Sequence, residues 1–485
     1  MKLADLLKGV DIRELKASPE LEISDVCYDS RRAEAGTLFV AIRGFESDGH
    51  RYIASAAGKG AVCAVCETPP DCEIPYVLVE DSRLALALIS VNFFHSPASE
   101  MVVIGVTGTN GKTTTTYLLK HILECCLDAK VGLIGTNGNM IGGDFLPTER
   151  TTPESYELQK LLREMADSGC THVVMEVSSH SLVLHRVAGM VFDCGIFTNL
   201  TQDHLDFHRD MLDYARAKAR LFTMSRYAIV NLDDEWSQFM LSHLGCPCMT
   251  FSQRDTGADV YARDIRCTSS SVSFIAVCGM EAQRVTLHIP GTFSVYNAMT
   301  VLTCGLALGI DLEDCANAIA SARGVKGRME TVPTDGDYTI LIDYAHTPDA
   351  LENVLRSVHN VAHGRLVALF GCGGDRDRKK RPIMGHIAAE NADLVVVTSD
   401  NPRTEQPEAI IADILEGMKD SDTPKQVITD RIAAIEWAIE NHRPGDVIVL
   451  AGKGHEDYQI VGHEKHHMDE REIVAKIMEK RKNNK

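Results

Sequence analysis

The sequence predicts an α/β protein of three domains, the central one a P-loop unit on a mostly parallel sheet. Three observations carry this. At 485 residues the chain exceeds what one hydrophobic core normally holds. Near residue 100, "MVVIGVTGTNGKTTTTYLLKHILE" runs from an apolar strand through a glycine-rich turn into a helix. Toward the C-terminus, "RLVALFGCGGDRD", "DLVVVTSDNPR" and "VIVLAGKGHED" each carry an apolar strand into a Gly- or Asp-bearing loop, with helical stretches between. That alternation is the pattern of a parallel sheet covered on both faces.

The first segment, 1–97, mixes short apolar runs such as "GTLFVAI" and "YVLVED" with turn residues, as a small α/β unit does, and "FFHSPASE" closes it as a connector. Residues 98–329 hold the glycine-rich turn and then "HVVMEVSSH", "CGIFTNL" and "YAIVNLDD", short β-rich runs ending in polar residues. "GTFSVYNAMTVLTCGLALGI" predicts a helix with Asn297 near its start, and "GRMETV" leads into the third unit, 330–485. Ligands on parallel sheets bind beyond the carboxyl ends of the strands, so the three late loops are expected to converge on one site.

Composition narrows the partners. Hydrophobic residues make up 45% of the chain and charged residues 24%, the balance of a globular protein in water. A formal net charge of −19 argues against nucleic acid or an anionic membrane as partner, since both reward a basic excess. An anionic small substrate stays open, because a local arginine cluster can outweigh the global charge. The opening "MKLADLLKGVDIREL" lacks the apolar core of a signal peptide, and no run is long and apolar enough to span a bilayer. Fifteen cysteines are scattered, with one C-x-x-C at Cys63 and Cys66 and no second pair at zinc-ribbon spacing. Reduced thiols and a cytoplasmic location are expected, with a monomer as the working expectation.

"GVTGTNGKTT", Gly105 to Thr114, departs from the strict G-x-x-x-x-G-K-[ST] loop at Val106, where the pattern wants glycine. Val106 falls where the strand is ending, so its side chain need not approach a phosphate. Gly108 and Gly111 supply flexibility, Lys112 can reach terminal phosphates, and the Thr113 hydroxyl can ligate Mg²⁺. An ordinary strand-to-helix turn would not need strand, glycines, Lys-Thr and helix in that order. Glu176 and His204 follow apolar strands and are candidate Mg²⁺ ligands, the carboxylate being the harder donor. Lys218, in the amphipathic helix of "DYARAKARLF", reads from spacing alone as a solvated or snorkelling lysine. Arg376, Arg403 and Glu456 lie on the three late loops. Arginine forks grip carboxylates and glutamate can hold an ammonium, which suits an amino acid with more than one carboxylate. Isolated surface salt bridges, each worth little, would have no reason to share one strand-end face.

Taken in order, "YDSR", "TGTNGKTT", "TTPES", "EVSSH", "TNLTQDHLDFH", "YARAKARLF", "GRME", "DYAHTPDAL", "GCGGDRD", "DNPR" and "GKGHEDYQ" resemble the Mur ligases, ATP-dependent amide-forming enzymes of peptidoglycan precursor synthesis. The likeness covers nearly the whole chain and is nearest to the branch that adds the third stem residue to UDP-N-acetylmuramoyl-L-alanyl-D-glutamate. It implies an N-terminal UDP-binding domain, a central ATPase domain and a C-terminal Rossmann-like domain, with ATP as co-substrate and Mg²⁺ as cofactor. It further implies that Gly108, Thr109, Asn110, Gly111, Lys112, Thr113 and Thr114 hold the ATP phosphates, with Asn297, Arg328, Asp343 and His346 at the adenine and ribose. Ser30 and the loop Gly44 to Gly49 would meet the UDP-sugar. Thr151, Thr152, Ser178 and Arg186 would hold the muramoyl-dipeptide, with Leu184 where the family often has glutamine. Thr113, Glu176 and His204 resemble the magnesium-site residues. Lys218 matches a lysine that carries a carbamate (N6-carboxylysine), which turns a cation into an anionic ligand for Mg²⁺.

The same resemblance puts Arg376, Asp400, Asn401, Pro402, Arg403, Gly452 and Glu456 around meso-diaminopimelate, and "DNPR" marks the diaminopimelate-adding enzymes, lysine-adding relatives lacking its arginine. The physics agrees: diaminopimelate has a second carboxylate at its far end and L-lysine has none. Leaving a buried guanidinium unpaired costs about 3–5 kcal/mol, enough for strong discrimination. The rivals are a lysine-adding ligase, disfavoured by Arg403, and a folylpolyglutamate synthase-like ligase, disfavoured by the "YDSR" unit and the C-terminal loops. A non-ligating nucleotide switch would have no use for Arg376, Arg403 and Glu456 on one face.

Overall fold

The computed structural model describes residues 1–44, 47–268, 270–359 and 362–483, and its described residues form three larger sheets and one hairpin. The class is α/β, as expected. In the first sheet, Asp25–Cys27, Thr37–Val40, Cys63–Cys66 and Tyr76–Val79 run parallel in that spatial order, and Ile12–Lys16 adds antiparallel at the Tyr76–Val79 edge. Alternate side chains go to opposite faces: Leu38, Val40, Cys63 and Val65 pack with Leu3, Leu6 and Ile89, while Phe39, Ala64 and Cys66 pack with Ile53 and Ala56. A strand covered on both faces must be apolar throughout, hence "TLFV" and "CAVC".

The central sheet has 11 strands. Its parallel core runs from Val260–Cys267 through Cys248–Ser252, Ala228–Asn231, Cys194–Phe197, Val102–Thr107 and His172–Glu176 to Val131–Gly135. Antiparallel strands extend both edges, Val272–Cys278 and Glu281–Leu287 on one and Gly138–Ile141 and Asp144–Leu146 on the other. The sequence reading did not anticipate these wings. What matters for a site is the order at the centre. Val102–Thr107 lies between His172–Glu176 and Cys194–Phe197, with Glu176 paired to Val106 and Phe197 to Thr107. The glycine-rich turn, Glu176 and the segment from Thr198 onward therefore leave the sheet side by side. Val106 is fully buried in the core with Ile104, so its missing glycine concerns the sheet and not the turn.

The third sheet has six strands, with Glu330–Val332 antiparallel at one edge and Thr339–Asp343, Val447–Ala451, Leu366–Phe370, Leu394–Val397 and Lys425–Val427 parallel in that order. The three strands that end in "GCGGDRD", "DNPR" and "GKGHED" are neighbours, and the hairpin Tyr458–Val461 with Glu464–His467 follows the last of them. Among the described residues no helix is long and apolar enough to cross a membrane.

Candidate active site

The turn Gly108–Gly111 is shaped by close approach. A Cβ on Gly108, at φ +155°, would run into the Thr198 hydroxyl, and one on Gly111, at φ +85°, would stand 2.6 Å from Asn297 Oδ1. Only glycine lets the turn lie this near the next strand end and the helix Phe293–Ala307, a contact that brings Asn297 to the turn. The loop is then stitched down: Thr109 N donates to Asn199 O at 2.9 Å and Asn110 N to Asn199 Oδ1 at 2.8 Å, while Thr109 Oγ1 accepts from Thr201 N at 3.0 Å. Lys112 opens the helix Lys112–Leu127, its ammonium donating to Gly108 O at 2.9 Å and Thr109 O at 2.8 Å. Thr113 and Thr114 are buried in the first turn, and Thr113 Oγ1 accepts from Arg328 Nη2 at 3.0 Å. A helix N-terminus and a lysine on a glycine-rich turn together form an anion cradle.

Lys218 overturns the reading from spacing. It is 1% exposed, its ammonium donating to Gly108 O at 2.7 Å and lying 4.5 Å from the centre of the Tyr214 ring. The helix Met211–Thr223 turns this lysine inward because Tyr214, Ala215, Ala217, Ala219, Leu221 and Phe222 on the same helix are also buried. Burial first, and then the neighbouring Lys112 charge, push its ammonium well below the ordinary lysine range, with Asp203 and Asp234 pulling it back. Glu176, 1% exposed, ends its strand rather than following it, and its carboxylate accepts from Thr136 N at 2.9 Å and Thr136 Oγ1 at 3.0 Å. His204 is exposed, at φ +54°, with its ring 4.9 Å from that of His180.

Arg328, at the end of the central unit, and residues of the third unit come to the same site. The Arg328 guanidinium lies 4.8 Å from the Tyr344 ring centre, and Asp343 accepts from Met329 N and Ala345 N, each at 2.8 Å. Burial raises the Asp343 carboxyl above its ordinary range, with Arg328 opposing. His346 Nδ1 lies 2.8 Å from Tyr344 O. Asp349, which the sequence reading passed over inside "DYAHTPDAL", accepts from Asn110 Nδ2 at 2.7 Å and Thr201 Oγ1 at 2.9 Å, tying a third-unit helix to the glycine-rich turn.

Beside Glu176 lies a polar floor. Thr152 Oγ1 donates to Glu176 O at 2.8 Å, Ser178 caps the helix Ser179–Val183, and Thr151 Oγ1 lies 3.0 Å from Thr136 Oγ1. Arg186 Nη1 donates to Thr152 O at 3.0 Å and Nη2 pairs with Glu154 at 2.7 Å. Buried Glu154, another residue the sequence reading missed, also pairs with Arg150, and Arg83 of the first unit comes within 3.8 Å. Leu184 is the C-cap of the short helix before Arg186. Ser30 stands in a turn between Tyr28 and Arg32, both bonded to Glu157 on the helix that follows Thr152. Of the loop Gly44 to Gly49, Phe45 and Glu46 lie outside the described residues.

The three late loops do converge. Gly374 N donates to Asn401 O at 2.9 Å, Arg403 Nη1 to Gly374 O at 2.9 Å, and Asn401 Nδ2 to Glu456 Oε2 at 2.9 Å. Arg403 Nη1 and Arg376 Cγ both flank Gly373, and Gly452 faces Asp400 Oδ2. Pro402 O closes over Gly374. Among the described residues neither Arg376 nor Arg403 is ion-paired; Arg376 donates to Asp375 O at 3.0 Å. Arg403 is half-buried rather than buried, so the full penalty for an unpaired buried guanidinium applies only if an incoming ligand completes its burial. Sequence reasoning missed Lys453, fully buried, which bridges Glu456 Oε2 at 2.6 Å and Asn401 Oδ1 at 2.9 Å.

Comparison with known proteins places this geometry. Residues 22–100 match the model described as Mur ligase family, catalytic domain, 106–305 the Mur ligase middle domain, and 327–454 the Mur ligase, glutamate ligase domain. The UDP-N-acetylmuramoyl-L-alanyl-D-glutamate--2,6-diaminopimelate ligase of Caldanaerobacter subterraneus subsp. tengcongensis is 48% identical over 482 residues, 99% of each chain. The ligase of the same name from Clostridioides difficile is 45% identical over 485 residues, 99% of this chain and all of that one. A solved structure of a ligase with that name matches at 31% identity and a TM-score of 0.73 over 99% of each chain. Related along its whole length to sequences this similar, the chain belongs to the Mur ligase family.

Proposed function

We propose that this chain is the ATP-dependent ligase that joins meso-2,6-diaminopimelate to the D-glutamyl γ-carboxylate of UDP-N-acetylmuramoyl-L-alanyl-D-glutamate, a step of peptidoglycan precursor synthesis, acting as a cytoplasmic monomer. The observation that carries the choice of amino acid is the pairing of Arg403 and Arg376 around Gly373, beside Glu456, in a chain whose close relatives are named for this reaction.

A free carboxylate is a poor acylating agent, so the γ-carboxylate takes the terminal phosphoryl group of ATP to give an acyl phosphate and ADP. Residues Gly108 to Thr114 hold the phosphates, and Lys112 offsets charge on the group in transfer. Asn297, Arg328, Asp343 and His346 hold the adenosine end. Ser30 meets the UDP-sugar, and Thr151, Thr152, Ser178 and Arg186 hold the dipeptide. Arg376, Asp400, Asn401, Pro402, Arg403, Gly452 and Glu456 present the amino acid, the arginines on carboxylate and Glu456 on ammonium. Its neutral amine attacks the acyl carbon, the tetrahedral intermediate expels phosphate, the proton lost from nitrogen leaves on that phosphate, and the amide remains. No covalent bond to the enzyme is needed.

The residues fit Mg²⁺ carried by the nucleotide. Thr113 and buried Glu176 would offer it hard oxygen donors. When bound, Mg²⁺ supplies charge neutralisation at the phosphates. His204 and a carbamate on Lys218 complete the set by family likeness. Burial supports the carbamate, because an amine pushed toward neutrality is the form that adds CO₂.

The test is phosphate release from Mg-ATP with the UDP-dipeptide, comparing meso-diaminopimelate with L-lysine and reading product mass in parallel. Release and a matching mass gain with diaminopimelate alone are expected. Preference for lysine would refute the choice of amino acid, and silence with both would refute the ligase reading.

A further inference from the structure

Arg403 and Asp375 share a feature that non-glycine residues seldom adopt: each is left-handed, at φ +52°. Such conformations persist only where the surroundings hold them, and arginine tolerates them less well than aspartate. Here the two loops hold each other. Asp375 Oδ2 accepts from Thr404 N at 3.2 Å and Oδ1 from Thr404 Oγ1 at 2.8 Å. In return, Glu405 Oε1 accepts from Asp375 N at 2.7 Å. Glu405 is gripped by Arg381, a 0% exposed guanidinium that donates through Nη1 at 2.9 Å and Nη2 at 2.8 Å. Arg381 also reaches Asp413 at 2.9 Å and Gly373 O at 3.3 Å, so one buried charge fixes both loops and the helix Pro407–Glu416 behind them. From the other side the hairpin clamps the backbone of Arg403, whose N–H donates to Ile460 O at 3.1 Å and whose carbonyl accepts from Gly462 N at 2.8 Å.

We infer that Asp375 and Glu405 are positioning residues for amino-acid selection, bracing the left-handed Arg403 so that its guanidinium is set in place before the far carboxylate arrives. The inference rests on the diaminopimelate reading above. Arginine carries several rotatable bonds, and freezing them on binding offsets affinity, whereas a side chain already ordered loses little. A grip displaced by even an ångström forfeits much of the benefit of orientation. The brace touches the pocket through Arg403, Gly373, Arg376 and Pro402, all residues of the amino-acid site, so its loss should register on the amino acid and not on ATP or the UDP-dipeptide.

Asp375 is exposed and, among the described residues, its side chain bonds only to Thr404, which makes it the cleaner handle. In the full-length chain, Asp375→Ala should raise KM for meso-diaminopimelate roughly tenfold or more and move the diaminopimelate-to-lysine ratio of kcat/KM toward that of Arg403→Ala. KM for ATP and for the UDP-dipeptide should stay within about twofold. Asp375→Asn keeps one acceptor and the tolerance for a left-handed backbone, and should restore most of the ratio. If Asp375→Ala fails to fold, Glu405→Gln, which retains an acceptor for Asp375 N but weakens the Arg381 grip, must shift the ratio in the same direction. A ratio unchanged in the folded variant overturns the brace, even if both substrates slow together. The wild-type arm separates the two ideas. A wild-type chain indifferent between the two amino acids overturns the diaminopimelate reading and the brace with it, whereas a selective wild type matched by Asp375→Ala overturns the brace alone.

Discussion

Two lysines are buried to nearly the same degree and treated in opposite ways. Lys218, 1% exposed, donates to a carbonyl and faces an aromatic ring, with Lys112 as its near charged neighbour. Lys453, 0% exposed, is paired with Glu456 at 2.6 Å and with Asn401 Oδ1 at 2.9 Å, over the Tyr458 ring. Burying an ammonium is costly unless an anion accompanies it. The third unit supplies the anion and obtains a fixed charge that orients Glu456. The central unit gives Lys218 no paired carboxylate among the described residues, and burial with the nearby Lys112 charge holds its ammonium well below the ordinary lysine range. One lysine is thus held by a carboxylate, the other only by a carbonyl and an aromatic ring.

The largest effect should come from breaking the central case. Lys218→Ala should lower ligase turnover by about a thousandfold or more while nucleotide binding survives, a loss of the size seen when one charge-stabilising group is removed from a phosphoryl-transfer site. If the reactive amine adds CO₂, intact mass should show an increment of one CO₂ that Lys218→Ala lacks, and turnover should fall in CO₂-depleted buffer and return with bicarbonate. Wild-type turnover in Lys218→Ala would remove the contrast altogether.

Lys453→Met breaks the other half. It leaves half-buried Glu456 beside Asn401 without its cation, and breaking such a pair costs about 3–5 kcal/mol at full burial, less here because Glu456 keeps some water. A lower melting temperature and a KM for diaminopimelate raised roughly tenfold are expected, with KM for ATP nearly unmoved. An equal rise for both substrates would mean that Lys453 serves the fold and not the pocket.

How much of this was legible depends on how locally each feature is encoded. The glycine-rich turn was readable because strand, glycines, Lys112 and Thr113 are contiguous, and Val106 proved harmless because it belongs to the sheet. The convergence of "GCGGDRD", "DNPR" and "GKGHED" followed from parallel topology alone. Lys218 was misread because its spacing in an amphipathic helix says nothing about Gly108 O, which lies 110 residues away. Asp349 was missed because its partners Asn110 and Thr201 come from another unit, and Glu154 because Arg186 lies 32 residues away along the chain. Lys453 sat unread inside a quoted motif: a lysine three residues from a glutamate looks like a surface pair until burial is known. The antiparallel wings of the central sheet escaped because they carry exposed charges, as in "EAQRVTL", and the strand that joins them to the core, Val260–Cys267, shifts register against its antiparallel partner between Arg263 and Arg266.

The smallest effect probes the field around Lys453. His455, next but one along the chain, has its Nδ1 buried without a partner among the described residues. Burial, then Arg328, Lys326, Arg471 and Lys453, hold its imidazole down to about 3. The folded state thus keeps His455 neutral while the unfolded chain, near 6.5, takes up a proton. Its stabilisation is complete above about pH 6.5 and declines as pH falls toward 3, by roughly 2–3 kcal/mol at pH 4.5. His180, held down to about 4 by burial and by His204 and His208, adds a loss of the same sign. His455→Asn should therefore narrow the difference in urea stability between pH 7 and pH 4.5. Lys453→Met, which removes the weakest of the four cations acting on His455, should narrow it slightly, and Lys218→Ala should not change the His455 part at all. A wild-type slope in His455→Asn would place the acid loss in other groups, among them His180 with His204 and His208 at the central site, and the electrostatic contrast between the two lysines would then not extend to His455.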